Sequence, residues 1–136
     1  MPLILAVFLG GCLGTSLRFA VDLAMPHAGD QFPTGTLLVN VFGALVLGAL
    51  VGGLWTRPAV PAWLKAALGT GVLGSFTTFS AVMVTVVGLG SEGAGLLAAA
   101  YVAASVVLGF GAAALGLRVG AVLGRGGRPP RLRRRR

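Results

Sequence analysis

Three stretches of this chain contain no Asp, Glu, Lys or Arg: Phe32–Thr56, Ala66–Ser91 and Gly93–Leu117. Each is long enough to cross the hydrocarbon core of a bilayer, which takes about 20 residues of helix. A fourth run, Leu3–Val21, is broken only by Arg18. Strands do not fit, because period-two alternation is absent and open sheet edges are not left in lipid. The expected fold class is an all-α membrane protein of four transmembrane helices, with spans at about 3–24, 32–56, 64–89 and 93–118.

Composition agrees. Apolar residues make up 56 % of the chain and charged residues 10 %, against roughly a quarter charged in a soluble domain. Such a chain cannot build a water-facing surface. The first run lacks the basic n-region and the clear cleavage site of a signal peptide, so it reads as a retained helix. The single cysteine, Cys12, gives no disulfide framework and reads as a small apolar packing residue.

The joints are short. Asp22–Pro33 carries Pro26, Gly29 and Pro33; Arg57–Lys65 carries Pro58 and Pro61; Gly88–Gly95 carries Ser91 and Glu92. Residues 1–124 form the transmembrane domain, and the tail 125–136, RGGRPPRLRRRR, is expected to be disordered in water. Eleven residues are Lys or Arg. Apart from Arg18, the other ten (Arg57, Lys65, Arg118 and the arginines from Arg125 onward) all fall on one side of a four-span arrangement. The opposite side carries Asp22, His27, Asp30 and Glu92. This bias places both termini in the cytoplasm. The tail suits anionic lipid of the inner leaflet better than nucleic acid, because no nucleic-acid module precedes it. His27, alone in a loop, receives no role.

Glycines recur at spacing four in Gly10/Gly14, Gly48/Gly52 and Gly116/Gly120/Gly124. Such ridges let helix backbones approach closely and predict a tight, dimeric bundle. The match of Gly69–Gly74 to the dinucleotide pattern GxGxxG is set aside, because it lies in a membrane span and not in a βαβ unit.

Polar residues within the spans carry the functional information. Those that draw notice are Arg18, Thr36, Asn40, Thr70, Ser75, Thr77, Thr78, Ser80, Tyr101 and Ser105. Thr36 with Asn40, and Tyr101 with Ser105, are four apart and share helix faces. Hydroxyl and amide donors suit an anion losing its water, as do aromatic ring edges with their positive partial charge. A cation pathway would more often show intramembrane Asp or Glu. The structural alternative is that Ser and Thr bond back to their own helix while Asn40 bridges two helices. The segment Gly74-Ser75-Phe76-Thr77-Thr78-Phe79-Ser80 reads as a break in the third span, which would free carbonyls able to hold a small cation.

These motifs resemble those of the Fluc family of small bacterial fluoride channels. The match runs through Gly10–Phe19, Gly35–Gly43 and Gly74–Ser80, in that order and each on its own span. The resemblance implies an antiparallel dimer with two narrow pores and a structural sodium ion that is not transported. It implies sodium held by the backbone carbonyls of Gly74 and Thr77. It assigns Asn40, Phe79, Thr36, Ser80, Tyr101 and Ser105 to the fluoride pathway and Arg18 to a vestibule. Two positions depart from the family pattern. Val82 stands where a second phenylalanine is usual, and Gly109 where a further helix-four serine is usual. The one-sided charge and Val82 together favour a heterodimer in the bacterial inner membrane. No enzyme site is expected, since no His, Cys and carboxylate can converge in the bundle. A small dual-topology efflux transporter would need a mid-membrane acid, and a non-conducting assembly partner stands as the third reading.

Overall fold

The computed structural model describes residues 1–26 and 32–125. His27, Asp30 and most of the basic tail lie outside the described residues. Among those described there is no strand, and four helical crossings are long and apolar enough to span a membrane. The first is α1, Leu3–Ala24. The second is α2, Thr34–Gly52, closed by a 3₁₀ turn at Leu54–Thr56. The third is composite: α3 at Ala62–Ala66, a π-helical stretch at Ala67–Leu73, α4 at Gly74–Phe76 and α5 at Ser80–Ser91. The fourth is α6, Gly95–Arg125.

Several of these limits differ from the sequence expectation, most by about two residues, and two of the differences have a plain physical reason. The third crossing begins at Ala62, because Pro61 starts a helix well: it lacks the N–H that a first turn leaves unpaired. The fourth continues past Arg118 to Arg125. The charge at Arg118 ends an apolar run but not a helix, and Val119–Gly124 is again free of proline. A helix of this length spans about 45 Å, longer than the ~30 Å hydrocarbon core. Its last turns therefore project toward the headgroups.

The turn between α5 and α6 explains itself locally. Ala94 N–H bonds to Leu89 C=O at 2.8 Å and Gly93 N–H to Gly90 C=O at 3.2 Å. This is the Schellman arrangement, which needs a residue in the left-handed region. Gly93 supplies it with φ 76°.

The bundle is held by two backbone-to-backbone seams. α2 packs along α6, and α1 packs along the π-helical stretch. A Cβ at Gly120 would lie 2.8 Å from Gly53 N, and one at Gly71 2.9 Å from Val7 O. Gly10 and Gly14 rest on the backbone of Ala67–Val72, while Gly48, Gly52 and Gly116 rest between α2 and α6. All three ridges thus bring backbones together within one chain. They are not free surfaces awaiting a second copy, so they lend no support to a dimer. Few side chains are fully enclosed; the core is Ala6, Val39, Leu73, Val82, Leu89, Ala98 and Tyr101. Large apolar residues such as Ile4, Leu96 and Phe110 face outward, as a lipid solvent requires. Cys12 is exposed on α1 and does not pack inside the chain. The two flanking residues, Gly11 and Leu13, share the apolar helix, so composition alone gave no sign of which way Cys12 points.

These seams predict a sharp contrast between glycines. Gly116→Val should destabilise the fold by roughly 2 kcal/mol or more, since the blocking atoms are backbone. Gly109→Ala, where a Cβ meets nothing within 4 Å, should change stability by no more than about 0.5 kcal/mol, or raise it slightly. Thermal unfolding in detergent, followed by monodispersity, distinguishes them; equal melting of the two variants would contradict the seam.

Candidate functional site

The helical ladder of the third crossing stops at Phe76. Thr77 is extended (φ −79°, ψ 155°), and helix resumes only at Ser80. Thr77 N–H still reaches Leu73 C=O at 3.0 Å, and its hydroxyl donates to the same carbonyl at 2.8 Å. Beyond that point the ladder is empty. Among the described residues no hydrogen bond reaches the carbonyls of Gly74, Ser75, Phe76 or Thr77, and the N–H groups of Phe79, Ser80 and Val82 find no acceptor. Orphan groups of this kind are confined in membrane proteins to places buried in protein or lining a polar cavity.

The interruption is pinned from α2. Asn40 Nδ2 donates to Thr78 C=O at 2.8 Å, and Thr78 N–H donates to Asn40 Oδ1 at 2.8 Å. One side-chain amide therefore replaces a peptide partner for Thr78 and leaves a single Nδ2–H over. Of the two roles open to Asn40 in the sequence, bridging is the one its geometry fills first. Thr78 also secures the restart: its hydroxyl accepts from Ala81 N–H at 3.2 Å and lies 3.2 Å from Ser80 Oγ. Thr78 was not singled out as a site residue from the sequence, where it is one hydroxyl among four in the segment Gly74–Ser80. Its partner 38 positions away is a long-range contact that no local pattern displays.

Asn40, Gly74, Thr77, Phe79 and Ser105 line one groove of about 570 Å³, together with Val82 and Val106. Phe79 is 74 % exposed at its mouth. A second groove of about 400 Å³ holds Arg18, Thr36 and Ser80, joined by Asp22 and Thr85. Tyr101 stands between the two sets. Its side chain is fully buried, edge-on to Phe32 at 5.4 Å and 89°. Its hydroxyl neighbours Thr36 and Ser105. Yet the Tyr101 hydroxyl and Ser105 Oγ are both buried with no hydrogen-bond partner. A buried hydroxyl without a well-formed partner costs about 1–3 kcal/mol, so these two, with Thr36 beside them, make a small buried polar cluster.

All nine residues expected at the site thus fall on these grooves or between them, in two groups and not one. The polar groups they present are mainly donors: hydroxyls, one amide N–H, a guanidinium and the N-terminal N–H groups of α5. Helix N-termini favour negative charge. The carbonyl end of α4 faces the opposite way and favours a cation. No cluster of three His, Cys, Asp or Glu is present among the described residues, so a cation here would be a hard one bound by oxygen alone.

Four crossings with a pinned helix interruption in the third define a multi-pass integral membrane protein. The chain belongs to the CrcB family: the family model described as "CrcB-like protein, Camphor Resistance (CrcB)" matches residues 5–117. It is 40 % identical to the fluoride-specific ion channel FluC of Methylobacterium nodulans over 85 % of this chain and 93 % of that protein. It is 41 % identical to the protein of the same name from Granulibacter bethesdensis, over 90 % and 97 %. It is also 43 % identical to fluoride-specific ion channel FluC 1 of Frankia casuarinae, over 82 % and 91 %.

The Asn40 clamp yields a prediction independent of transport. Asn40→Ala strands Thr78 N–H and C=O, and should speed amide exchange at Thr78 by roughly tenfold or more. Asn40→Asp keeps an acceptor for the N–H and should retain part of the protection. Unchanged exchange in Asn40→Ala would show that the interruption holds itself.

Proposed function

We propose that this chain is one subunit of a dimeric channel that conducts fluoride passively out of the cytoplasm. The observation that carries the reading is the set of buried or ladder-free donors, with Tyr101 and Ser105 meeting no well-formed hydrogen-bond partner among the described residues. Fluoride sheds its water only where fixed donors replace it. Arg18, Thr36 and Ser80 offer donors in one groove, and Asn40, Phe79 and Ser105 in the other, with Tyr101 bridging. The exposed ring of Phe79 adds a positive edge. The relatives described above are named fluoride-specific ion channels. Weak-acid HF enters from acidic surroundings and ionises inside, and the anion leaves down its gradient. No catalysis and no coupling acid is involved.

A structural sodium fits the interruption. The orphan carbonyls at Gly74–Thr77 are the hard oxygen donors it requires, and those of Gly74 and Thr77 would hold it. When bound, the ion supplies the positive charge these carbonyls otherwise lack. The Thr77 hydroxyl is already committed to Leu73 C=O, so Thr77→Ser should be mild for sodium-dependent assembly. Gly74→Pro should be severe, because it deletes the N–H bonded to Gly69 and Gly71 carbonyls. A Cβ at Gly74 meets only Gly69 O at 3.5 Å, so Gly74→Ala should assemble. Equal damage from Thr77→Ser and Gly74→Pro would favour side-chain ligation.

The partner is a second Fluc-type subunit, and a heterodimer is favoured over a homodimer. An antiparallel pair needs both orientations, whereas ten bases on one side hold this chain in one, with both termini in the cytoplasm of a bacterial plasma membrane. Asn40→Ala or Phe79→Ile in the assembled channel should abolish fluoride efflux from liposomes without dispersing the dimer. Retained efflux from an intact mutant assembly would make both residues packing only. Robust efflux from this chain reconstituted alone would overturn the heterodimer.

A further inference from the structure

We propose that Asp22 sets the anion affinity of the Arg18 groove by competing with the anion for the guanidinium. This rests on the fluoride reading above and names a residue that the reading does not use. Arg18 and Asp22 are four apart on α1 and face the same groove as Thr36, Ser80 and Thr85. Their charged atoms are 3.9 Å apart, and the two side chains are 29 % and 50 % exposed. That separation is ion pairing without a hydrogen bond.

The guanidinium donates no hydrogen bond to any of the described residues. Its planar fork of donors is therefore free to meet an anion, which it does better than any other side chain. By contrast, Lys65 Nζ is committed to Trp55 C=O at 2.8 Å, and Arg57 reaches Leu123 C=O at 3.5 Å. Arg118 on α6 likewise donates no hydrogen bond among the described residues, but of the described cations Arg18 alone has a carboxylate, Asp22, within ion-pairing distance. A carboxylate at this distance subtracts from the attraction that Arg18 exerts on an incoming anion. Because the pair is long and half-exposed, it is weak. Asp22 therefore attenuates the site and does not close it. Screening does not remove the effect at physiological salt, where the Debye length is about 8 Å, twice the pair separation.

The test is fluoride efflux from liposomes holding the assembled channel, with initial rates taken across fluoride concentrations. Asp22→Asn should lower the half-saturating fluoride between roughly 2- and 5-fold, the range an exposed ion pair supports. The maximal rate should stay unchanged, and the shift should shrink as inert salt rises toward 1 M. Asp22→Glu should behave as the parent. In an Arg18→Gln background, Asp22→Asn should produce no shift. The proposal fails if Asp22→Asn leaves half-saturation unchanged, changes only the maximal rate, or shifts half-saturation equally without Arg18. Absence of efflux from the unmutated assembly overturns the fluoride reading itself, and this proposal with it.

Discussion

In hydrocarbon an unpaired peptide group costs several kcal/mol, which is why spanning segments are helices or closed barrels. The third crossing leaves the carbonyls of Gly74–Thr77 and three N–H groups after them outside any ladder. That concentration of unmet bonding can persist only if something outside the crossing compensates. Asn40 compensates one residue completely, taking both bonds of Thr78. The rest remain available, acceptors at the end of α4 and donors at the start of α5. One interruption thus leaves unpaired acceptors and unpaired donors a few residues apart. Neither would exist in a continuous helix.

The interruption also depends on how closely the helices lie. Asn40 can reach Thr78 because Gly43, one turn further along α2, has no side chain to hold the third crossing away. A Cβ there would run into the Thr77 methyl. On the far side, the π-helical stretch lies directly on α1, so closely that a Cβ on Gly71 would lie 3.0 Å from Gly10 Cα. A π segment widens the helix and is seen mostly as short bulges at functional sites. Here only the short α4, Gly74–Phe76, separates it from the break, so the two departures from α geometry lie close together between Ala67 and Phe79. Trp55 covers the start of the π-helical stretch, against Gly69.

Which of this could be read from the residues follows the range of the interaction concerned. Charge-free runs report on lipid directly, so the four crossings and the glycine seams were legible. Gly74–Ser80 stood out because hydroxyls crowd a stretch where packing alone calls for apolar residues. The π-helical stretch was not legible: Ala67–Leu73 has the composition of any apolar helix, and its width is set by what α1 presses against it. The Asn40–Thr78 pairing was half legible. Asn40 is conspicuous in lipid, but the sequence offers many hydroxyls and carbonyls for it to meet. Asp22 stood both at the end of the expected first span, 3–24, and at the start of the joint Asp22–Pro33; the helix runs to Ala24, which makes Asp22 a neighbour of Arg18. The fourth crossing outruns its expected end because the charge at Arg118 closes an apolar run but not the helix.

Val82 sharpens the question of how many chains the site needs. It is 5 % exposed and lines the same groove as Phe79 and Asn40, so the position where the family pattern places a second ring is occupied by a smaller side chain within this chain's own packing. Phe79 is left as the only ring on the groove, 74 % exposed, and Gly74 and Ser80 beside it are exposed too. A ring edge attracts an anion effectively only where water is kept away, because water screens so weak a field. Nothing among the described residues shields the outer side of Phe79. A fluoride ion passing along it would need a second wall, apolar enough to face lipid elsewhere and shaped to meet these exposed groups. That requirement, and not the glycine ridges, is the physical reason to propose a second subunit. It also locates what the second subunit must bring: a surface that turns an open groove into an enclosed passage, with the ring that Val82 does not supply.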